Sequence, residues 1–249
     1  MFLARAKWAS ALVPAALLAA CGGDGTTEPP DLPTIIAVGI ARLDRSPDQS
    51  LTGYVAFFYD PVERRLFEAE AEVNAEPLTT AILPGIVSGP VYVRSAAVQA
   101  NNAYRLTATI QGPGGPVEVV SQSVVVPGEF EVRATAQHAL GQPLDIEWDP
   151  IPNAERINVV ITGTTFEADL PGTATGVTIP ASALTVPGVA EIEVTAFNGF
   201  YISLNAGISS LADAEAAALR FTEAQNVTGA GVAGSFGAAT TIGVHVDIQ

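Results

Sequence analysis

Hydrophobic and polar positions alternate along most of the chain beyond residue 33. Tyr104, Leu106, Ala108 and Ile110 are apolar at every second place, with Arg105, Thr107 and Thr109 between them. Successive side chains of a strand point to opposite faces, so this spacing predicts a half-buried strand. The Gly/Pro-rich stretch 111–116 is a turn signal and 117–126 is the returning strand, which makes 104–126 a β-hairpin with a long loop. Residues 34–43, 51–59 and the run holding Val91, Val93 and Ala97 are further strands, and Pro127-Gly128 ends this first group. A second group begins where Leu144, Ile146 and Trp148 alternate with Asp145, Glu147 and Asp149. The apolar set, Trp148 included, is expected to face a core. Strands at 156–163, 177–180, 189–197 and 200–205 follow.

The period then changes. Ser209 or Ser210 can cap a helix over 209–221, with Asp213 and Glu215 near its start and Arg220 at its end, which suits the helix dipole. Residues 226–237 are rich in Gly and Ala and look turn-like. Residues 240–248 alternate again, with Ile242, Val244, Val246 and Ile248 on one face, and are expected to close a sheet. Many short strands separated by Gly/Pro turns predict an all-β chain. The expected architecture is two immunoglobulin/fibronectin-like β-sandwich domains in tandem, 34–127 and 128–249. The second carries the short C-terminal helix (209–221) and the closing strand (240–248).

The N-terminus has a different composition. Arg5 and Lys7 precede an apolar run from Trp8 to Leu18, and the small residues Ala19 and Ala20 follow, so residues 1–20 have the three parts of an export signal. The run is shorter than the about 20 apolar residues that span a bilayer. Leu18-Ala19-Ala20-Cys21 holds the single cysteine of the chain. This order resembles the lipobox of bacterial lipoproteins. The resemblance implies cleavage before Cys21, lipidation of its sulfur, and membrane attachment through that residue. Because Gly22 rather than Asp follows, it also implies the outer membrane of the cell envelope. The alternative is an accidental cysteine after an ordinary cleavage site, a lone thiol with no partner for a disulfide. Residues 21–33, with their Gly, Pro, Thr and acidic residues, form a flexible tether.

Two further resemblances concern the body. Ile146-x-Trp148-x-Pro150, Asn153-Ala154, the 179–184 stretch and Ile192-x-Val194-x-Ala196-x-Asn198 resemble a fibronectin type III sandwich over about 144–198. Ile157 and Ala190 stand where that family usually has an aromatic residue and a tyrosine. The 234–238 stretch, Gly-Ser-Phe-Gly-Ala, before a final strand is similar to the end of uncharacterised outer-membrane lipoproteins with paired β-sandwiches. That likeness implies location and architecture, not an activity.

Charge narrows the partners. The net charge is −15, and loss of Arg5 and Lys7 with the leader would bring it to −17 and leave no lysine. Nucleic-acid binding rests on Lys/Arg–phosphate contacts, so no nucleic acid is expected. Chemistry is sparse. Glu68, Glu70 and Glu72 share one face of a strand and are expected to be solvated rather than to bind a metal. His138 and His245 are the two histidines, and Ser235 lies in G-S-F-G, not in the G-x-S-x-G of a nucleophile elbow. Glu147 and Asp149 are an acidic pair of the kind an acidic protein offers by chance. No catalytic residue, metal or cofactor is expected. The resemblance implies a lipid-anchored envelope protein presenting β-sandwich modules to another envelope protein or a glycan. For a glycan, Tyr92, Phe200 and Tyr201 are the candidate contacts. A purely structural lipoprotein without a ligand is the alternative, and a hydrolase with a non-motif site is a third reading.

Overall fold

The computed structural model describes residues 35–46, 52–60, 63, 65–81, 90–112, 114–199 and 226–249. The expected leader, tether and helix (1–20, 21–33 and 209–221) lie outside these residues, as does the strand expected at 200–205. The described chain is all-β apart from a single 3-10 turn, Ala181–Ala183.

The first eleven strands are β1 (Ile35–Asp44), β2 (Gly53–Asp60), β3 (Arg65–Leu66), β4 (Ala69–Val73), β5 (Glu76–Pro77), β6 (Thr79–Ala81), β7 (Val91–Ser95), β8 (Ala103–Tyr104), β9 (Leu106–Gly112), β10 (Gly115–Ser121) and β11 (Val124–Val125). The alternation read at 104–110 sets which face is buried: Leu106 and Ile110 are fully buried and Ala108 nearly so. The loop expected at 111–116 is much tighter, because Gln111 pairs with Pro116 and Gly112 with Gly115. Gly115 takes φ +111°, a conformation that suits glycine at this turn.

The second group is β12 (Val132–Arg133), β13 (Gln137–His138), β14 (Leu144–Trp148), β15 (Arg156–Ile161), β16 (Glu167–Pro171), β17 (Gly176–Ile179) and β18 (Gly188–Asn198). β19 (Val227–Thr228) and β20 (Val232–Ile248) complete the described chain. Trp148 is buried, and its indole N–H donates to the Ala174 carbonyl at 2.8 Å, so its one polar atom is satisfied.

One large sheet runs β16-β15-β18-β20-β1-β2-β7-β6, with β13 and β3 paired at its sides. Two smaller sheets pack on the same face of it. The order β19-β10-β9-β4-β5 encloses a first core around Phe58, Leu106, Ile110 and Phe236. The order β12-β14-β17 encloses a second around Ile146, Trp148, Ile157 and Val194. The result is two sandwich lobes, and Leu32–Gln249 gather into a single compact unit.

The strand expected at 240–248 is longer, because β20 begins at Val232 and takes in the second half of the stretch expected to be turn-like. Val232–Thr241 pair in parallel with all ten residues of β1, and Ala238–Ile248 pair antiparallel with all of β18. The small residues of this stretch allow close approach. A Cβ on Gly234 would lie 1.8 Å from the Ala37 carbonyl oxygen. Asn226 acts as a substitute strand beside it: its side-chain oxygen accepts the Phe236 N–H and its side-chain NH2 donates to the Phe236 carbonyl, both at 2.7 Å.

Hydrogen bonds tie the two lobes at their junction. The Thr240 hydroxyl donates to the Pro127 carbonyl at 2.7 Å, the Asn198 amide to the Val125 carbonyl at 3.1 Å, and the Arg45 N–H to the Thr241 carbonyl at 2.8 Å. Nearby, Arg42 and Asp44 form an ion pair of 3.2 Å with side chains 3% and 0% exposed. Asp44 also accepts from the Ser46 N–H and hydroxyl, whereas Arg42 Nε has no hydrogen-bond partner.

Candidate functional site

Cys21, Phe200 and Tyr201 lie outside the described residues. Tyr92 does not line an exposed loop edge, and the expectation that it contacts a ligand is corrected here. It is 4% exposed, its ring packs on Phe58 with centroids 5.7 Å apart, and its hydroxyl accepts the Ala69 N–H at 2.6 Å. It joins the two facing sheets of the first lobe. Every described aromatic side chain is likewise buried or half-buried, Phe57 and Phe166 being the half-buried ones, so no described ring stands fully exposed.

Burial also controls the tyrosine chemistry. It pushes Tyr54 up to about 12, helped by the nearby Tyr104 and Glu76, and raises Tyr92 against the opposing effect of the Ala69 N–H. The folded protein therefore keeps a proton on Tyr54 that the unfolded chain releases near pH 10. This stabilisation is complete below about pH 10 and is lost as pH rises toward 12. Unfolding free energies from urea titrations between pH 10 and 12 should fall with a slope approaching about 1.4 kcal/mol per pH unit from this residue alone. Tyr54→Phe should flatten that slope, and an unchanged slope would remove Tyr54 as its source.

The other polar candidates are dispersed. His138 Nε2 lies 3.1 Å from the Gln142 carbonyl, and His245 is exposed opposite Glu191 on the β18–β20 pair. Ser235 is buried within β20. Glu68, Glu70 and Glu72 are exposed, with Glu72 accepting from the Thr107 hydroxyl at 2.9 Å. Asp149 is paired with Arg133 at 3.1 Å on the open face of the second lobe. Among the described residues no group of three His, Cys, Asp or Glu side chains is placed to hold a metal ion.

A groove at the end of the second lobe differs from these. It has a volume of about 650 Å3 and lies between the β15–β16 hairpin loop (162–166) and the loop leading into β18. Its lining includes Ile161, Phe166, Leu184, Val186 and Val189 together with several Ser and Thr residues, and no charged side chain contributes. That is unusual in so acidic a chain. The cause is topological. β15 ends its pairing at Ile161 opposite Ile192, whereas β18 runs on to Gly188 against β20. Val189, on the face of β18 that carries Glu191 and Glu193 rather than the one that carries Ile192 and Val194, is 69% exposed, and Val186, in the loop before β18, is 75% exposed. Leu140, at 41%, is held at the same end by its N–H donating to the Gln249 carbonyl. These are the three exposed large hydrophobic side chains among the described residues.

This end is also far from where the described chain begins. Ile35 pairs with Val232 at the start of β20, and the groove adjoins Ile248 at its finish. Seventeen residues of strand separate them, roughly 50 Å at about 3.3 Å per residue. Sequence reasoning missed the groove because Val186 and Val189 look like ordinary core valines. Val189 stands on the outward face of β18, and Val186 in the loop before it.

No protein-family model matches the chain, and no curated protein does. Among solved structures, the fibronectin(III)-like modules of Clostridium thermocellum CbhA align at 12% identity over 86% of this chain and 94% of theirs, with a TM-score of 0.27. The β-sandwich assignment rests on the strand pairing and the two cores described above.

Proposed function

We propose that this chain is a lipid-anchored lipoprotein of the cell envelope, of the outer membrane, whose two β-sandwich lobes present a groove lined without charge to a partner protein. The observation that carries the reading is the groove bordered by Val186 and Val189 at the opposite end of β20 from the chain's entry at Ile35. A groove without charge at the opposite end of β20 is well placed to meet a partner, and clustered exposed apolar side chains are a mark of such sites. The resemblance at Leu18–Cys21 supports the anchor at Cys21. The fibronectin type III-like reading of 144–198 is supported by the burial of Ile146, Trp148, Ile179, Ile192, Val194 and Ala196, which carried it. A protein is favoured over a glycan because the most exposed large apolar side chains of the groove, Val186 and Val189, carry no ring, and its one aromatic side chain, Phe166, is half-buried. The role is assembly or binding rather than catalysis.

A photo-crosslinking residue placed at 186, with one at Glu118 as the control face, tests this in intact cells. Adducts from 186 but not from 118 are expected. Absence of adducts at both would leave the purely structural lipoprotein. In parallel, fatty-acid labelling should disappear in Cys21→Ser, and labelling that persists would refute the anchor.

A further inference from the structure

We propose that β20 is a closing strand, and that neither lobe completes its core until Val232–Ile248 are in place. β20 is last in sequence and central in the large sheet. Its first ten residues pair with β1 across a sequence separation of 197, from Ile35 to Val232. Its last eleven cover the whole of β18. One of its faces serves both cores: Phe236 and Ala238 close the first, and Val246 and Ile248 the second. Without it, β1 and β18 would be two bare edges facing each other, with unpaired N–H and C=O groups along both.

No local element can take its place. The hairpins β1–β2, β9–β10 and β15–β16 can form early, but isolated hairpins are marginally stable in water. Pairing of the first described strand with the last must meet its loop-closure cost before any burial rewards it. The junction bonds from Thr240 and Asn198 to the 125–127 segment link the lobes in the same step. The consequence is a chain whose two cores stay open until Val232–Ile248 are in place. This inference stands whether or not Cys21 carries lipid.

Pulse-labelled hydrogen exchange during refolding of the full chain tests it. Amides of β9 in the first lobe and β14 in the second should gain protection at rates within threefold of those of β20. Protection of either strand more than threefold faster than β20 would overturn the proposal. A second measurement uses Phe236→Ala, which removes a fully buried ring from the first core only. The most protected amides exchange through global opening. Exchange should therefore accelerate about a hundredfold or more in β14 as well as in β9. Acceleration confined to the first lobe would overturn the proposal. If the variant does not fold, refolding of the unmodified chain still decides.

Discussion

Gly234→Val is expected to leave the chain without its native fold at 25 °C, and circular dichroism with thermal melting will show this directly. The reason is backbone against backbone. A Cβ at this position meets the Ala37 carbonyl oxygen at 1.8 Å and its carbon at 2.7 Å, and φ there is +156°, a conformation that L side chains rarely adopt. No flexible side chain can move aside, so β1 and β20 must separate, and they share ten consecutive pairs. The expected loss exceeds about 4–5 kcal/mol, against total stabilities of about 5–15 kcal/mol for ordinary domains. Gly114→Ala is the matched control. It lies in the β9–β10 turn with nothing within 4 Å of the added carbon, and it should stay within about 0.5 kcal/mol of the parent. A Gly234→Val protein that melts like the parent would show that the β1–β20 spacing is not what holds this glycine in place.

Asp44→Ala is the second large effect. It leaves the Arg42 guanidinium buried near the junction of the lobes with its counter-charge gone, and Nε is already without a hydrogen-bond partner. Breaking a buried pair from one side costs about 3–5 kcal/mol, because an uncompensated charge remains. Arg42→Met combined with Asp44→Ala should recover most of that loss, since the charge is then removed as well. The residual deficit belongs to the Ser46 N–H and hydroxyl, which lose their acceptor. Urea titration of the two single variants and the double variant closes the cycle. Equal losses in Asp44→Ala and in the double variant would show that the ion pair is not the origin of the effect.

Strands with a contrast between large apolar and polar residues were legible in the sequence. β9 and β14 alternate by size and polarity, and Leu106, Ile110, Ile146 and Trp148 are buried as that alternation requires. The first half of β20 lacks such contrast. Ala233, Gly234, Ser235, Gly237 and Ala239 are all small, and at Gly234 the Ala37 backbone leaves no room for a Cβ, a condition imposed by tertiary structure rather than by any local period. The pairing of β1 with β20 has no local signal for the same reason. Tyr92 was misplaced because a tyrosine in a strand can face either way; its direction here is fixed by the Ala69 N–H from another sheet. The groove at Val186 and Val189 was invisible because it is made by the unequal lengths of β15 and β18.

The parallel alignment of β1 and β20 has a mechanical meaning. A pull on the chain at Ile35, opposed by a partner held beside Ile248, acts along the strands and in opposite directions on the two neighbours. The load is shear: the bonds between ten paired residues must stretch together, whereas a pull across the sheet would unzip them one after another. Forced unfolding is set by the barrier to the first break rather than by equilibrium stability. A body loaded in this geometry should resist tension far better than one whose first strand was held at a peeling edge.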